Sequence, residues 1–135
     1  MNIKYSTDRT GITPDKINAL YGGEPFDSAL LDMLFARSSF VASAWDGDKM
    51  VGYVRILSDG YWAIIYGLSV HADYRGKGIG ATLINMCSEW SMKNNIKNII
   101  LFYDEDNSEK LIPFYEKLGF KIINNAMIKT LHLAG

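Results

Sequence analysis

The stretch of this chain most able to do chemistry is Arg75-Gly76-Lys77-Gly78-Ile79-Gly80, with glycines at alternate positions just before an amphipathic run. A helix that opens on such a turn leaves bare backbone N–H groups at its N-terminus, where the helix dipole also favours an anion. Without a Cβ at Gly76, Gly78 and Gly80, phosphate oxygens can approach the main chain, while Arg75 and Lys77 add positive charge at the edges. The plainer reading is a flexible surface turn. The amphipathic helix that follows, and Gly67 inside the preceding apolar run, argue for the phosphate cradle. The spelling excludes a P-loop, because Lys77 is followed by Gly78 and not by Ser or Thr. A dinucleotide turn needs G-x-G-x-x-G and finds G-x-G-x-G, with Asp104 near the place of a ribose-binding acid. It stays as the alternative, although four residues separate Val70 from Arg75 where that fold turns tightly. The single thiol, Cys87, and the distant His71 and His132 have no metal-ligand spacing, so no metal is expected.

The elements that must hold this turn follow from period and punctuation. Ile3 to Ser6 reads as a strand, and Thr13-Pro14-Asp15 as a helix start whose Ile17, Leu20 and Tyr21 share an apolar face. Gly22-Gly23-Glu24-Pro25 breaks that helix, and Asp27 or Ser28 caps a second one carrying Leu30, Leu31, Leu34 and Phe35. Phe40–Trp45 and Met50–Leu57 flank Asp46-Gly47, a hairpin signal, and Asp59-Gly60 repeats it before Tyr61–Val70. That third run reads as an antiparallel strand mostly buried on both faces, with Gly67 marking a bulge or a close approach. Ile79, Leu83, Met86, Cys87 and Trp90 form one helical stripe, and Asn98–Tyr103 returns as a strand parallel to Tyr61–Val70. Asp106, Asn107 or Ser108 caps a last helix through Leu118 with Gly119 as its left-handed end, and Pro113 predicts a kink or break within it. Strands Phe120–Ile123 and Ala126–Leu133 close the chain. The expected class is α+β in three layers, with a mixed, mostly antiparallel central sheet of six to seven strands and about four helices.

At 135 residues and 48% hydrophobic composition the chain is expected to be one domain, residues 1–135, with a single core. Fourteen Lys and Arg against fifteen Asp and Glu leave no excess positive field for a nucleic-acid backbone or an anionic membrane. The expected partner is therefore a small molecule or another protein. No apolar signal core or bilayer-length run is present in the sequence, which reads as cytoplasmic. The last strand, Ala126–Leu133, is one that can pair with a second copy, so a homodimer is open.

Leu68-Ser69-Val70-His71-Ala72-Asp73-Tyr74-Arg75-Gly76-Lys77-Gly78-Ile79-Gly80 resembles the acetyl-coenzyme A signature of the GCN5-related N-acetyltransferases (GNAT). Phe114-Tyr115-Glu116-Lys117-Leu118-Gly119-Phe120 resembles their C-terminal motif, and the order of elements from Ile3 to Leu133 is similar too. The resemblance implies a splayed acyl-coenzyme A N-acyltransferase architecture and acetyl-coenzyme A as co-substrate. It implies pyrophosphate on the amides of Arg75, Gly76, Lys77, Gly78, Ile79 and Gly80, and pantetheine along Leu68, Ser69 and Val70 as though it were an added strand. Asn107 and Ser108 would lie toward the other side of the cofactor. Relatives often place Asn and Ala seven and four residues before the tyrosine, where this chain has Ser108 and Leu111.

The implied activity is acetyl transfer to a primary amine of a small molecule or peptide by direct attack. Tyr115 is then the general acid, since a phenol with an ordinary pKa of about 10 can return a proton to the departing thiolate. No base declares itself: Tyr66 and Ile64 occupy the positions where relatives place Glu or His, leaving a water chain, Tyr66, Glu24, Asp27 or Asp59 open. Cys87 falls on the apolar stripe, which favours direct transfer over an acyl-cysteine. By fold analogy the acceptor meets Phe26, Asp27, Tyr53, Arg55 and Tyr66, where aromatics with acids can hold an amine and Arg55 a carboxylate. A non-catalytic acyl-coenzyme A-binding module is the competing function.

Overall fold

The computed structural model describes residues 2–21, 26–123 and 126–132. They form two compact units, Met1–Phe102 and Tyr103–Gly135. In the first, β1 (Ile3–Ser6) precedes α1 (Pro14–Asn18), α2 (Ser28–Ala36), β2 (Phe40–Asp46), β3 (Lys49–Ser58) and β4 (Trp62–Val70). A single 3-10 turn at Ala72–Tyr74, α3 (Ile79–Lys93) and β5 (Asn98–Leu101) complete it. The expected caps form: the Thr13 side chain accepts from Lys16 N, and the Asp27 carboxylate from Leu30 N. Gly47 takes the positive φ, +59°, that the β2–β3 turn requires.

The strands lie in the order β1-β2-β3-β4-β5, with β1 to β4 antiparallel to their neighbours and β5 parallel to β4 across α3. Side chains alternate across the sheet, so β3 serves two layers. Gly52 faces α3 at close range: a Cβ there would stand 3.0 Å from both Ile79 Cγ2 and Leu83 Cδ1. Glycine is what lets α3 seat its buried Ile79, Leu83, Ile84 and Cys87 on the sheet. On the opposite face Val41, Met50 and Tyr53 pack with Ile17 and Leu20 of the α1 segment and with Leu31 of α2.

The second unit holds a 3-10 turn at Glu105–Asn107 and α4 (Ser108–Lys117). Gly119 at φ +96° ends the helix, with Phe120 N–H donating to Tyr115 O at 3.1 Å and Gly119 N–H to Glu116 O at 3.0 Å. Pro113 does not break α4, since it removes only the one bond to Glu109 O.

Two expectations are corrected. The sheet has five strands, not six to seven: among the described residues neither Phe120–Ile123 nor Ala126–Leu133 is strand, and Leu133 lies outside them. Ile123, Met127 and Ile128 are exposed there, and an apolar alternation forms a strand only against a neighbouring strand. Nor is β4 buried on both faces, for only Ala63 and Ile65 are buried and Trp62 is exposed. Even beside β5, which stops at Leu101 rather than Tyr103 and flanks only Trp62–Ile65, burial alternates, so one face of β4 is covered and the other is not fully so. The break expected at Gly22-Gly23-Glu24-Pro25 lies outside the described residues.

Candidate active site

Arg55 pairs with Tyr66 and Tyr53 with Ser69, so two steps along β3 oppose three along β4. The extra residue is a bulge in β4, and Gly67 carries its left-handed φ of +67°. On the other side β5 pairs only with Trp62–Ile65. From Tyr66 to Val70, therefore, β4 has no strand neighbour on its β5 side among the described residues, and the main chain of Leu68, Ser69 and Val70 forms one edge of the sheet there. Such an edge takes an extended ligand by backbone hydrogen bonding.

The chain leaves β4 into the glycine turn. Gly76 (φ +75°) and Gly78 (φ +83°) are left-handed, and no atom lies within 4 Å of where their Cβ atoms would be. Gly78 is the N-cap residue of α3 and has no side chain to cap it, unlike Thr13 and Asp27 at α1 and α2. Among the described residues, none of the amides of Gly76, Lys77, Gly78, Ile79, Gly80 and Ala81 donates a hydrogen bond within the protein. Consecutive N–H groups at a helix mouth, unspent by the fold, fit a diphosphate. Lys77 is exposed, the Ile79 side chain is buried under the sheet, and Gly80 lies in the first turn of α3. Arg75 is tied down, its Nε donating to Val70 O at 3.1 Å, which fixes its charge beside the turn. Tyr74 anchors the turn at a distance through its hydroxyl, which donates to Asp46 of the β2–β3 hairpin, and Lys49 lies over its ring.

Below the bulge, on the α1–α2 side of the sheet, is a cavity of about 290 Å³. Ile17, Leu31 and Leu34 form its apolar wall, with Phe26 and Tyr21 in edge-to-face contact at 5.2 Å. Tyr53, Arg55 and Gly67 form its sheet side. Burial pushes the Tyr53 phenol up to about 12, so it stays a neutral donor. The Arg55 guanidinium stacks over Tyr66 at 4.9 Å. Phe26, Tyr53 and Arg55 are thus brought together around one space, with Tyr66 behind Arg55 and outside the lining. Asp27 is not: its carboxylate is spent capping α2.

The candidate bases separate the same way. Asp59 accepts from Tyr61 N and Trp62 N, and those bonds hold its carboxyl below the usual carboxylate range. His71 Nδ1 accepts from Asp73 N at 3.1 Å and caps the 3-10 turn. Glu24 lies outside the described residues. In the second unit Tyr115 sits between Phe114 and Phe120, at 5.0 and 5.7 Å, and burial raises its phenol above the ordinary tyrosine value. Asn107 Nδ2 donates to Asp104 Oδ2 at 3.1 Å, and Ser108 begins α4. Asp104 itself caps the preceding turn, and four of the five strands run antiparallel, which is not the doubly wound sheet a dinucleotide site needs.

Reasoning from sequence puts Tyr21 at the head of the segment Tyr21 to Phe35 expected to select the substrate, and its hydroxyl stands 3.0 Å from the Cβ position of Gly67, but it missed the Tyr74–Asp46 anchor. Tyr21 had a signal, as the last residue of an apolar helical face. The anchor joins residues 28 apart and left no local one. Among the described residues no cluster of His, Cys, Asp and Glu is placed to hold a metal ion, and no helix is long and apolar enough to cross a membrane.

Comparison with known proteins covers most of the chain. The model of the "Acetyltransferase (GNAT) family" matches residues 13–120. The chain is 32% identical over 94 residues to a mycothiol acetyltransferase of Corynebacterium efficiens, a match covering 68% of this chain and 31% of that protein. Indeed the chain spans about a third to two fifths of the length of the first curated relatives it matches. A GNAT family protein of Streptococcus pneumoniae superposes with a TM-score of 0.76 at 25% identity over 98% of both chains. A GNAT family acetyltransferase of Elizabethkingia anophelis, solved with acetyl-CoA bound, superposes with a TM-score of 0.74 at 20% identity, covering 91% of this chain and 78% of that one.

Proposed function

The chain belongs to the GNAT acetyltransferase family, and on that premise we propose that it transfers the acetyl group of acetyl-coenzyme A to a primary amine of a small molecule. The observation that carries this reading is the run of unspent amides from Gly76 to Ala81 beside the open β4 edge. The amides hold the diphosphate, and the main chain of Leu68, Ser69 and Val70 aligns the pantetheine arm. The bulge at Gly67 supplies unpaired main-chain groups toward the thioester carbonyl, where charge develops during attack. The neutral amine forms the N–C bond as the C–S bond breaks. The thiolate takes its proton from Tyr115, and the proton lost by the amine passes to solvent, from which the phenol is restored. Direct attack also agrees with the environment of Cys87, fully buried with its thiol pushed up to about 12.

The test is thiol release from acetyl-coenzyme A with an amine panel, in the wild type and in Tyr115→Phe. The substitution should lower kcat by about 10²-fold or more. The pH profile carries a second signature. A raised phenol keeps its proton as pH rises, so kcat should show no falling limb below about pH 10. An unchanged rate in Tyr115→Phe rejects the acid role. A second reading rests on the absence, among the described residues, of a side chain at the bulge free to act as base: a module that binds acyl-coenzyme A without turnover. Saturable binding with no thiol release on any amine selects it.

A further inference from the structure

The acceptor side holds a combination the transfer reading does not use. Among the described residues that line the cavity, Arg55 is the one that carries a charge. Its Nε lies 3.7 Å from the Cβ position of Gly67, so the guanidinium stands beside the bulge. Two of the chain's other three arginines are occupied: Arg9 donates to Phe35 O and Ser38 O, and Arg75 to Val70 O. Among the described residues Arg55 has neither a hydrogen-bond acceptor nor a carboxylate within ion-pair distance, only the Tyr66 ring under its face. Stacking leaves the in-plane N–H fork available, and a planar fork matches a carboxylate in two-point contact. The hydroxyls of Tyr21 and Tyr53 likewise have no partner among the described residues, and Tyr53 remains a donor. A guanidinium and two phenols in one cavity with Ile17, Phe26, Leu31 and Leu34 suit an anion joined to an apolar body.

Resting on the acetyl-transfer reading, we propose that the acceptor is the α-amino group of a free amino acid with an apolar side chain, held through its carboxylate on Arg55. The place of the guanidinium decides between this class and a simple amine. With Arg55 Nε 3.7 Å from the Cβ position of Gly67, a carboxylate on Arg55 lies near the bulge, so an amine attacking at the bulge is joined to it by a short link, and a single carbon meets that condition. The substituent on that carbon then points to the apolar wall. A volume of about 290 Å³ lies at the small end of ligand pockets and suits one such side chain. An amine without an anion would enter as an ammonium facing an unneutralised guanidinium, which like-charge repulsion disfavours.

The experiment compares L-leucine and L-phenylalanine with L-leucinamide and L-phenylalaninamide as acceptors, with thiol release from acetyl-coenzyme A as readout. The amides keep the side chain and replace the carboxylate by a neutral group, which also lowers the pKa of the amine, so rates are compared per neutral amine. On that basis the acids should exceed their amides in kcat/KM by about tenfold or more, and Arg55→Gln should lower the acids about 10- to 100-fold, mainly through KM, with a much smaller loss on the amides. Arg55→Lys should restore part of the loss, since it keeps the charge without the fork. Amides used as well as acids overturn the proposal in the wild type alone, whatever the variants do. An equal loss on acids and amides in a folded Arg55→Gln overturns it as well. Thiol release on none of the four, in a protein that binds acetyl-coenzyme A, refutes the transfer reading first and this inference with it.

Discussion

Gly67→Ala tests the bulge with two separable costs. The first is conformational: at φ +67° an alanine sits in the left-handed region, at about 1 to 2 kcal/mol. The second is contact, because the new Cβ would stand 3.0 Å from the Tyr21 hydroxyl, several tenths of an ångström inside an ordinary van der Waals separation. That neighbour is the far end of a side chain and can shift, so this part is smaller, about 0.5 kcal/mol. The sum is about 1.5 to 2.5 kcal/mol. Unfolding entropy near 2.1 cal/mol/K per residue gives roughly 0.2 to 0.3 kcal/mol/K for a chain of this size, so Tm should fall by about 5 to 10 °C. In a Tyr21→Phe background the contact is gone, and Gly67→Ala should cost only the conformational part. Gly60→Ala is the control, with a φ of +96° and no atom within 4 Å of its Cβ position; it should lose stability and keep full transfer rate. Gly67→Ala should lose both. Differential scanning fluorimetry and thiol release on the same samples read the two effects. A Gly67→Ala protein with unchanged Tm and rate refutes the reasoning, since it would mean that the bulge needs neither the left-handed backbone nor the space.

Tyr74→Phe removes the anchor to Asp46 and loosens the glycine turn without touching its amides, so KM for acetyl-coenzyme A should rise about three- to tenfold with kcat preserved. Loss of kcat at unchanged KM contradicts that positioning role. Cys87→Ala should keep the transfer rate and cost about 1 kcal/mol of stability, and in the wild type a thiol reagent should modify Cys87 only on unfolding. A folded but inactive Cys87→Ala restores the acyl-cysteine route.

The parts of this protein that were legible in the sequence share one property: each is written by residues within a few positions of one another. Thr13-Pro14, Asp27, Asp46-Gly47 and the Gly119 helix end are backbone devices, and so are the glycine turn and the β4 bulge, where Gly76, Gly78 and Gly67 are required by φ angles that other residues resist. The strand expectations failed at the chain end because alternation states which residues share a face and says nothing about whether a neighbouring strand lies beside them. The same limit applies to β4, whose apolar run reads as buried on both faces but is covered on one, and which β5 flanks only over Trp62–Ile65. The acceptor cavity is the extreme case. Its walls come from residues as far apart as Ile17 and Gly67, on α1, α2, β3 and β4, and identity alone placed Arg55 and Asp27 on an equal footing. What separates them is occupancy: Asp27 is consumed by the cap of α2, whereas Arg55 keeps its fork free at the point where the chain is bent by Gly67. The proposed selectivity for an anionic acceptor therefore rests on the bulge as much as on the arginine, because without the extra residue in β4 the pairing of Tyr53 and Arg55 would continue in register beside the cavity.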